Sequence, residues 1–304
     1  MAANPGFILI EMILMNDPIQ NMLATFQSLS QELTDEIVSY LQDDKISLLA
    51  SSLTCRSLVP GCQKALFSNL CVGSPPAPSG GVIVTNIPTI QQFSKMMEMM
   101  PHVAAYTKTL KLTFDFVEEE VDECLFAQLA SFRCLTHFSL HLIKCSAAYF
   151  LMPFELISSI QTILSLRTLE HLRLVDLPTD ILPYDTSIKH LVIHFCDPEW
   201  MVSDTYYALR RFLEGAQPFM ASSRSDEKNS TAIESLDFDH SERNIRLGIN
   251  YVLDSPTLDL SRLKRLQIDI EGMEIDDQHE HISRLLQACS SIQVLRLIPS
   301  RESE

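Results

Sequence analysis

Five of the nine histidines fall in or directly after copies of a recurring six-residue pattern: His137, His171 and His190 at its third place, and His141 and His194 just beyond its end. Imidazoles so placed could do two kinds of chemistry. Neutral imidazole is a metal ligand, and it titrates near neutrality. If the segments that carry them are neighbouring strands about 4.8 Å apart, His171 and His190 could share a zinc ion. The carboxylate and thiol ligands that usually complete such a site have no motif here, so the reading takes no metal. A contact whose strength changes between about pH 5.5 and 8 is the softer expectation. The eight cysteines (Cys55, Cys62, Cys71, Cys124, Cys134, Cys145, Cys196 and Cys289) form no CxxC pair and sit among apolar neighbours. They read as reduced, buried, small hydrophobes of a cytosolic or nuclear protein. No Gly-rich phosphate loop, GxSxG, HExxH or kinase set occurs, and no Cys–His pair is marked as nucleophile and base. The chain therefore reads as non-catalytic and without a cofactor.

The elements that must hold these histidines come from the pattern itself, apolar-x-x-apolar-x-apolar. It recurs at Leu135–Leu140, Leu169–Leu174, Ile188–Ile193, Ile233–Phe238, Leu263–Ile268 and Ile292–Leu297, with a weaker copy at Thr107–Leu112. This is the strand signature of a leucine-rich repeat. Helical patterns lie between copies: Leu125, Leu129 and Phe132; Leu156, Ile160 and Ile163; Tyr206, Leu209 and Leu213; Ile282, Leu285, Leu286 and Cys289. The segment from Ser241 to Asp259 reads as irregular, and Ala221 to Thr231 as a mobile loop. Stacked repeats would build a curved solenoid with strands inside. Side chains alternate along a strand, so the positions between the apolar ones face outward. They supply the expected target-binding residues: His137, His141, His171, Arg173, His190 and Asp237. Each of them would otherwise belong to an ordinary solvated sheet face.

The 304 residues are 46% hydrophobic, ample for a large core, and carry a formal charge of -16. A nucleic-acid partner needs a basic footprint, so nucleic acid is not expected. No apolar run approaches the ~18 residues of a membrane span. Phe7 to Met15 is apolar, but Glu11 interrupts it and no Lys or Arg precedes it, which argues against a secretory signal. The sequon Asn229-Ser230-Thr231 is then idle.

From Leu29 to Leu70 the chain reads as three short helices. Ser30 suits an N-cap; Leu33, Ile37 and Leu41 form one stripe. Ile46, Leu49 and Leu53 form a second, with Leu48 off it and facing outward. Pro60 suits the first turn of the third helix. A unit of about 40 residues is near the lower limit of independent stability. Pattern alone leaves two roles open for it, docking on a partner or capping the repeats.

Leu29 to Val72 resembles an F-box, most closely those of a large fungal group of F-box proteins with a leucine-rich-repeat-like C-terminal region. Leu29, Glu32, Leu33, Glu36, Ile37, Leu41, Leu53, Cys55, Arg56, Leu66 and Phe67 stand at matching positions. Ser30 replaces the usual proline and Leu58 the usual aromatic residue. Pro101 to Leu112 is similar to the segment that opens the repeats in those proteins. The resemblance implies an α/β chain, a three-helix F-box followed by an irregular leucine-rich-repeat solenoid. Its expected parts are an N-terminal arm over 1–28, the F-box over 29–72, a linker and helix over 73–106, and the repeats over 107–304. It implies a substrate-recognition subunit of an SKP–cullin–F-box ubiquitin ligase, cytoplasmic or nuclear. Leu29, Leu33, Ile37, Leu41 and Leu48 would meet the SKP-type adaptor and, through it, cullin, while the repeats hold an unknown target protein. A non-ligase scaffold is the alternative, and no membrane partner is expected.

Overall fold

The computed structural model describes residues 30–73, 87–115, 123–143, 154–177, 179–195, 230–240, 245–269 and 275–298. The chain divides into two compact units, Met1–Asn69 and Leu70–Glu304.

The first unit holds α1 (Gln31–Ser39), α2 (Lys45–Thr54), a 3-10 turn (Arg56–Leu58) and α3 (Val59–Leu66). Ser30 caps α1. The Asp44 carboxylate accepts from the backbone N–H of Ile46 and Ser47 at 3.0 and 3.1 Å, which starts α2. Val38, Leu48, Cys55, Leu58 and Cys62 form the core, with Leu41, Ala65 and Leu66 packed against it. At Gly61, an added Cβ would lie 3.2 Å from both Val38 Cγ2 and Asp35 Oδ1, so its lack of a side chain lets α3 close on α1.

The facing of α2 is the reverse of the sequence expectation. Leu48 is fully buried, while Ile46, Leu49 and Leu53 are 80%, 54% and 88% exposed. The small residues Ser51 and Ser52 sit half-buried on the inward side. Small side chains let that face approach its neighbours, although it carries fewer apolar residues than the outer one.

The second unit is built on one sheet. Its strands are β1 (Asn69–Val72), β2 (Thr109–Asp115), β3 (His137–Ile143), β4 (His171–Val175), β5 (His190–Phe195), β7 (Ser235–His240), β9 (Arg265–Asp269) and β10 (Val294–Ile298). They lie side by side in that order, and from β2 onward each pairs parallel with the next. Two short strands, β6 (Thr231–Ala232) and β8 (Leu258–Asp259), make a separate parallel pair. The helices between are α4 (Ile90–Met99), α5 (Val103–Tyr106), α6 (Glu123–Leu129), α7 (Phe154–Leu164), α8 (Ile245–Leu253) and α9 (Ile275–Ala288).

This corrects the expected fold class. The described chain is not a three-helix F-box followed by a leucine-rich-repeat solenoid; it is an α/β protein with a continuous eight-stranded parallel sheet. Strands and helices alternate in a Rossmann-like layout, with the strands in sequence order. The six-residue motif specifies a strand, each of the six copies does hold one, and the first five bury one face of it. It does not specify how strands join, and backbone pairing in one unbroken register settles that.

Register explains the core. Leu110, Phe138, Leu172, Leu191, Leu236 and Leu266 are lateral neighbours, as are Leu112, Leu140, Leu174, Ile193, Phe238 and Ile268. All twelve are buried. Leu135, Leu169, Ile188, Ile233 and Leu263 add a further buried row just before the strands. At β10 the pattern persists but burial does not: Leu295 and Leu297 are 44% and 49% exposed.

Two further expectations change. The segment read as irregular from Ser241 to Asp259 contains α8 and β8. Gly248, Ile249, Tyr251 and Val252 are poor helix formers that hide the helix from a propensity reading, yet all are buried. Thr231, read as the end of a loop, is in β6. The helical pattern over Tyr206, Leu209 and Leu213 lies outside the described residues.

Candidate functional site

The outward rows of the sheet carry the candidate chemistry. His137, His171 and His190 are register partners on β3, β4 and β5. Their rings stack: His137 on His171 at 4.1 Å with 2° between planes, and His171 on His190 at 4.3 Å with 15°. His137 is exposed, and the other two are half-buried.

The stack is fixed from the row just before it. The backbone carbonyls of Lys108, Thr136, Glu170, Lys189, Glu234 and Lys264 each accept from two consecutive N–H groups of the next copy. That locks each copy against the last and sets the rings one strand spacing apart. In the same row, Lys189 Nζ donates to Glu170 Oε1 at 2.6 Å, and Lys264 Nζ to Glu234 Oε2 at 2.8 Å. Each bond holds its glutamate below the usual carboxylate range, and the Glu170 bond holds the Lys189 ammonium above its usual value.

The Thr136 hydroxyl lies 3.2 Å from the Lys108 carbonyl and 2.9 Å from His137 Nδ1, so it ties the first ring of the stack to the preceding strand. For His171, burial first, then the rings of His137 and His190, push the imidazole below its ordinary value, with Glu170 opposing and Lys189 adding to the push.

Stacking also bears on metal chemistry. In-plane nitrogen lone pairs on parallel rings run side by side. They could converge at the ~2.1 Å of a zinc bond only by leaving the stack. Among the described residues, no group of three or more His, Cys, Asp or Glu is placed to hold a metal ion.

The remaining target candidates are scattered around the strip. Arg173 is exposed and beside Ser139 and Val192 in the next row. Asp237 Oδ2 accepts from Gln267 Nε2 at 3.0 Å, two strands beyond Arg173. His141 does not join the stack; its Nε2 lies 3.8 Å from Asp176 Oδ2, on a residue with a left-handed φ of 56°. Thus three of the six candidates form one cluster. The alternating Glu170, Lys189, Glu234 and Lys264 were missed, although their sign change from copy to copy is readable in the sequence. Below the strip, Arg167, Glu170, Lys189, Glu234, Asp259 and Arg262 line much of an open recess of about 710 Å³. Its charges of both signs favour neither anion nor cation.

In the first unit, Leu33 and Ile37 are 50% and 37% exposed, and Tyr40, Ile46, Leu49 and Leu53 extend the uncovered apolar surface. Leu41 is half-buried against the core, and Leu29 lies outside the described residues. Leu48 is removed from the contact set by its burial. Ile46, Leu49 and Leu53 were missed as surface because α2 was read the other way round, and Tyr40, just after α1, falls on no periodic stripe.

Cysteine burial is mixed. Cys55, Cys62 and Cys289 are buried, and burial pushes the Cys289 thiol up to about 11. Cys71, Cys124 and Cys134 are exposed, contrary to expectation. Cys145 and Cys196 lie outside the described residues. Among the described residues, no helix is long and apolar enough to cross a membrane. No family model matches this chain, and no curated protein or solved structure matches it.

Proposed function

We propose that this chain is a non-catalytic recognition subunit of an SKP–cullin–F-box ubiquitin ligase. The first unit docks on the SKP-type adaptor, and the outward face of the sheet holds a target protein. Ubiquitin transfer is the work of other subunits; this chain contributes proximity, which raises the effective concentration of the target.

The observation that carries the reading is the mismatch between the two apolar sets of the first unit. Its core is complete, yet six large apolar or aromatic side chains remain outside it. Each such residue buried on a partner is worth roughly 1.5–3 kcal/mol. Four of them offset a typical association cost. The likeness of residues 29–72 to an F-box gives the partner its class.

The test is a pull-down of the full chain with a purified SKP-type adaptor. Wild type is retained, and Leu33→Asp/Leu53→Asp is lost while its melting transition stays in place. No retention of wild type removes the ligase reading and leaves a scaffold that uses the sheet face alone.

A further inference from the structure

We infer that the stacked imidazoles of His137, His171 and His190 are a proton-gated contact strip for an extended, carboxylate-rich segment of a partner protein. This rests on the reading that the sheet face binds a partner and is independent of adaptor docking.

The groups that face the strip can be named strand by strand. Lys111 stands on β2, Arg173 on β4 and Asp237 on β7, each one row away, and Lys108 precedes β2. Glu170 precedes β4, Lys189 precedes β5 and Glu234 precedes β7, and these act on the imidazoles electrostatically. Glu170 is already bonded to Lys189, and Glu234 to Lys264. Neither carboxylate is free to neutralise a new charge in full. Ser235 flanks His190 on the far side.

Protons enter the strip unequally. A proton on His171 would face a ring on each side at little over 4 Å, whereas His137 and His190 each face one. Only the two outer rings can both carry a proton without setting like charges in ring contact, and they lie at most about twice the 4.1–4.3 Å ring spacing apart. Along an extended peptide, alternate side chains repeat every ~6.7 Å on one side, so two flexible Glu side chains can reach both rings. The chain's charge of -16 opposes an acidic partner at long range. Screening beyond about 8 Å at physiological ionic strength confines the contest to the local groups just named.

The test uses the full chain, with a dye-labelled peptide of alternating Glu and Ser followed by fluorescence anisotropy at about 0.15 M salt. Two exposed ion pairs, each worth a factor of up to about five, predict binding on the order of tenfold tighter at about pH 5.8 than at about pH 7.8. His137→Gln/His171→Gln/His190→Gln should bind weakly and equally at both. His137→Gln alone, at an exposed ring, should remove about half of the pH effect on a logarithmic scale, and it serves if the triple variant does not fold. A flat profile in wild type, an unchanged profile in the variants, or tighter binding of a Lys–Ser control peptide would overturn the inference. Adaptor binding is scored separately, so its failure with pH-gated peptide binding intact leaves this inference standing.

Discussion

Replacing Leu48 with alanine decides which way α2 faces. Leu48 is fully buried among Val38, Cys55, Leu58 and Cys62. A core Leu→Ala change costs about 2–5 kcal/mol from lost transfer energy and the residual cavity. Stability runs at roughly 0.05–0.15 kcal/mol per residue, so a unit of about 40 residues has only about 2–6 kcal/mol in total. The substitution is therefore expected to melt the first unit outright. Ile46→Ala and Leu53→Ala are the internal controls. Both positions are at least 80% exposed, and surface changes fall within about 0.5 kcal/mol. Alanine is also the better helix former.

Hydrogen–deuterium exchange read by mass spectrometry over residues 31–66 of the full chain separates the outcomes. Leu48→Ala should bring the amides of α1, α2 and α3 to unprotected rates, and Ile46→Ala and Leu53→Ala should leave them protected. The opposite result, protection kept in Leu48→Ala and lost in Leu53→Ala, would refute the packing. It would turn α2 by about half a revolution and remove the exposed face on which the proposed adaptor docking depends.

Two further outcomes test the second unit. Gly73 has φ +83°, and a Cβ there would lie 1.8 Å from the Thr113 carbonyl oxygen, so Gly73→Ala should lower the melting temperature by several degrees; an unchanged transition would contradict the close approach of the backbones. His171 is held below its unfolded value, so the folded state binds fewer protons there than the unfolded chain. Its contribution is present above about pH 6.5 and is lost as pH falls through the lower folded value. Thermal melts from about pH 7.5 to 5 should show a drop that His171→Gln reduces, and identical slopes in the two proteins would count against the neutral central ring.

How much of this was legible in the sequence depends on which residues carried a periodic signal. The strands were legible because the apolar alternation marks a buried row, as at Phe138 and Leu140 or Leu236 and Phe238, and it persists even in β10, where that row is exposed. The same alternation placed His137, His171 and His190 at equivalent outward positions, and register turned equivalence into contact. Sheet assembly was not legible, because the motif encodes the faces of a strand and not its lateral order. The facing of α2 failed for another reason: apolar residues occupy two sides of the helix, and counting them favours the wrong one. What decides the matter is that Ser51 and Ser52 can approach a neighbour closely while Ile46, Leu49 and Leu53 cannot all be accommodated there.

The two candidate surfaces differ in how their contacts can be controlled. The helical face is apolar, and its affinity depends on area removed from water, which is nearly indifferent to pH. The imidazole strip contributes little apolar area, and the contact proposed for it is one of charge. A protein that joined both partners would hold the adaptor steadily and exchange the target. The geometry supports that division: the first unit's exposed set includes no histidine, and the stacked rings all lie on β3, β4 and β5. Acidification should therefore shift target occupancy while adaptor occupancy stays constant.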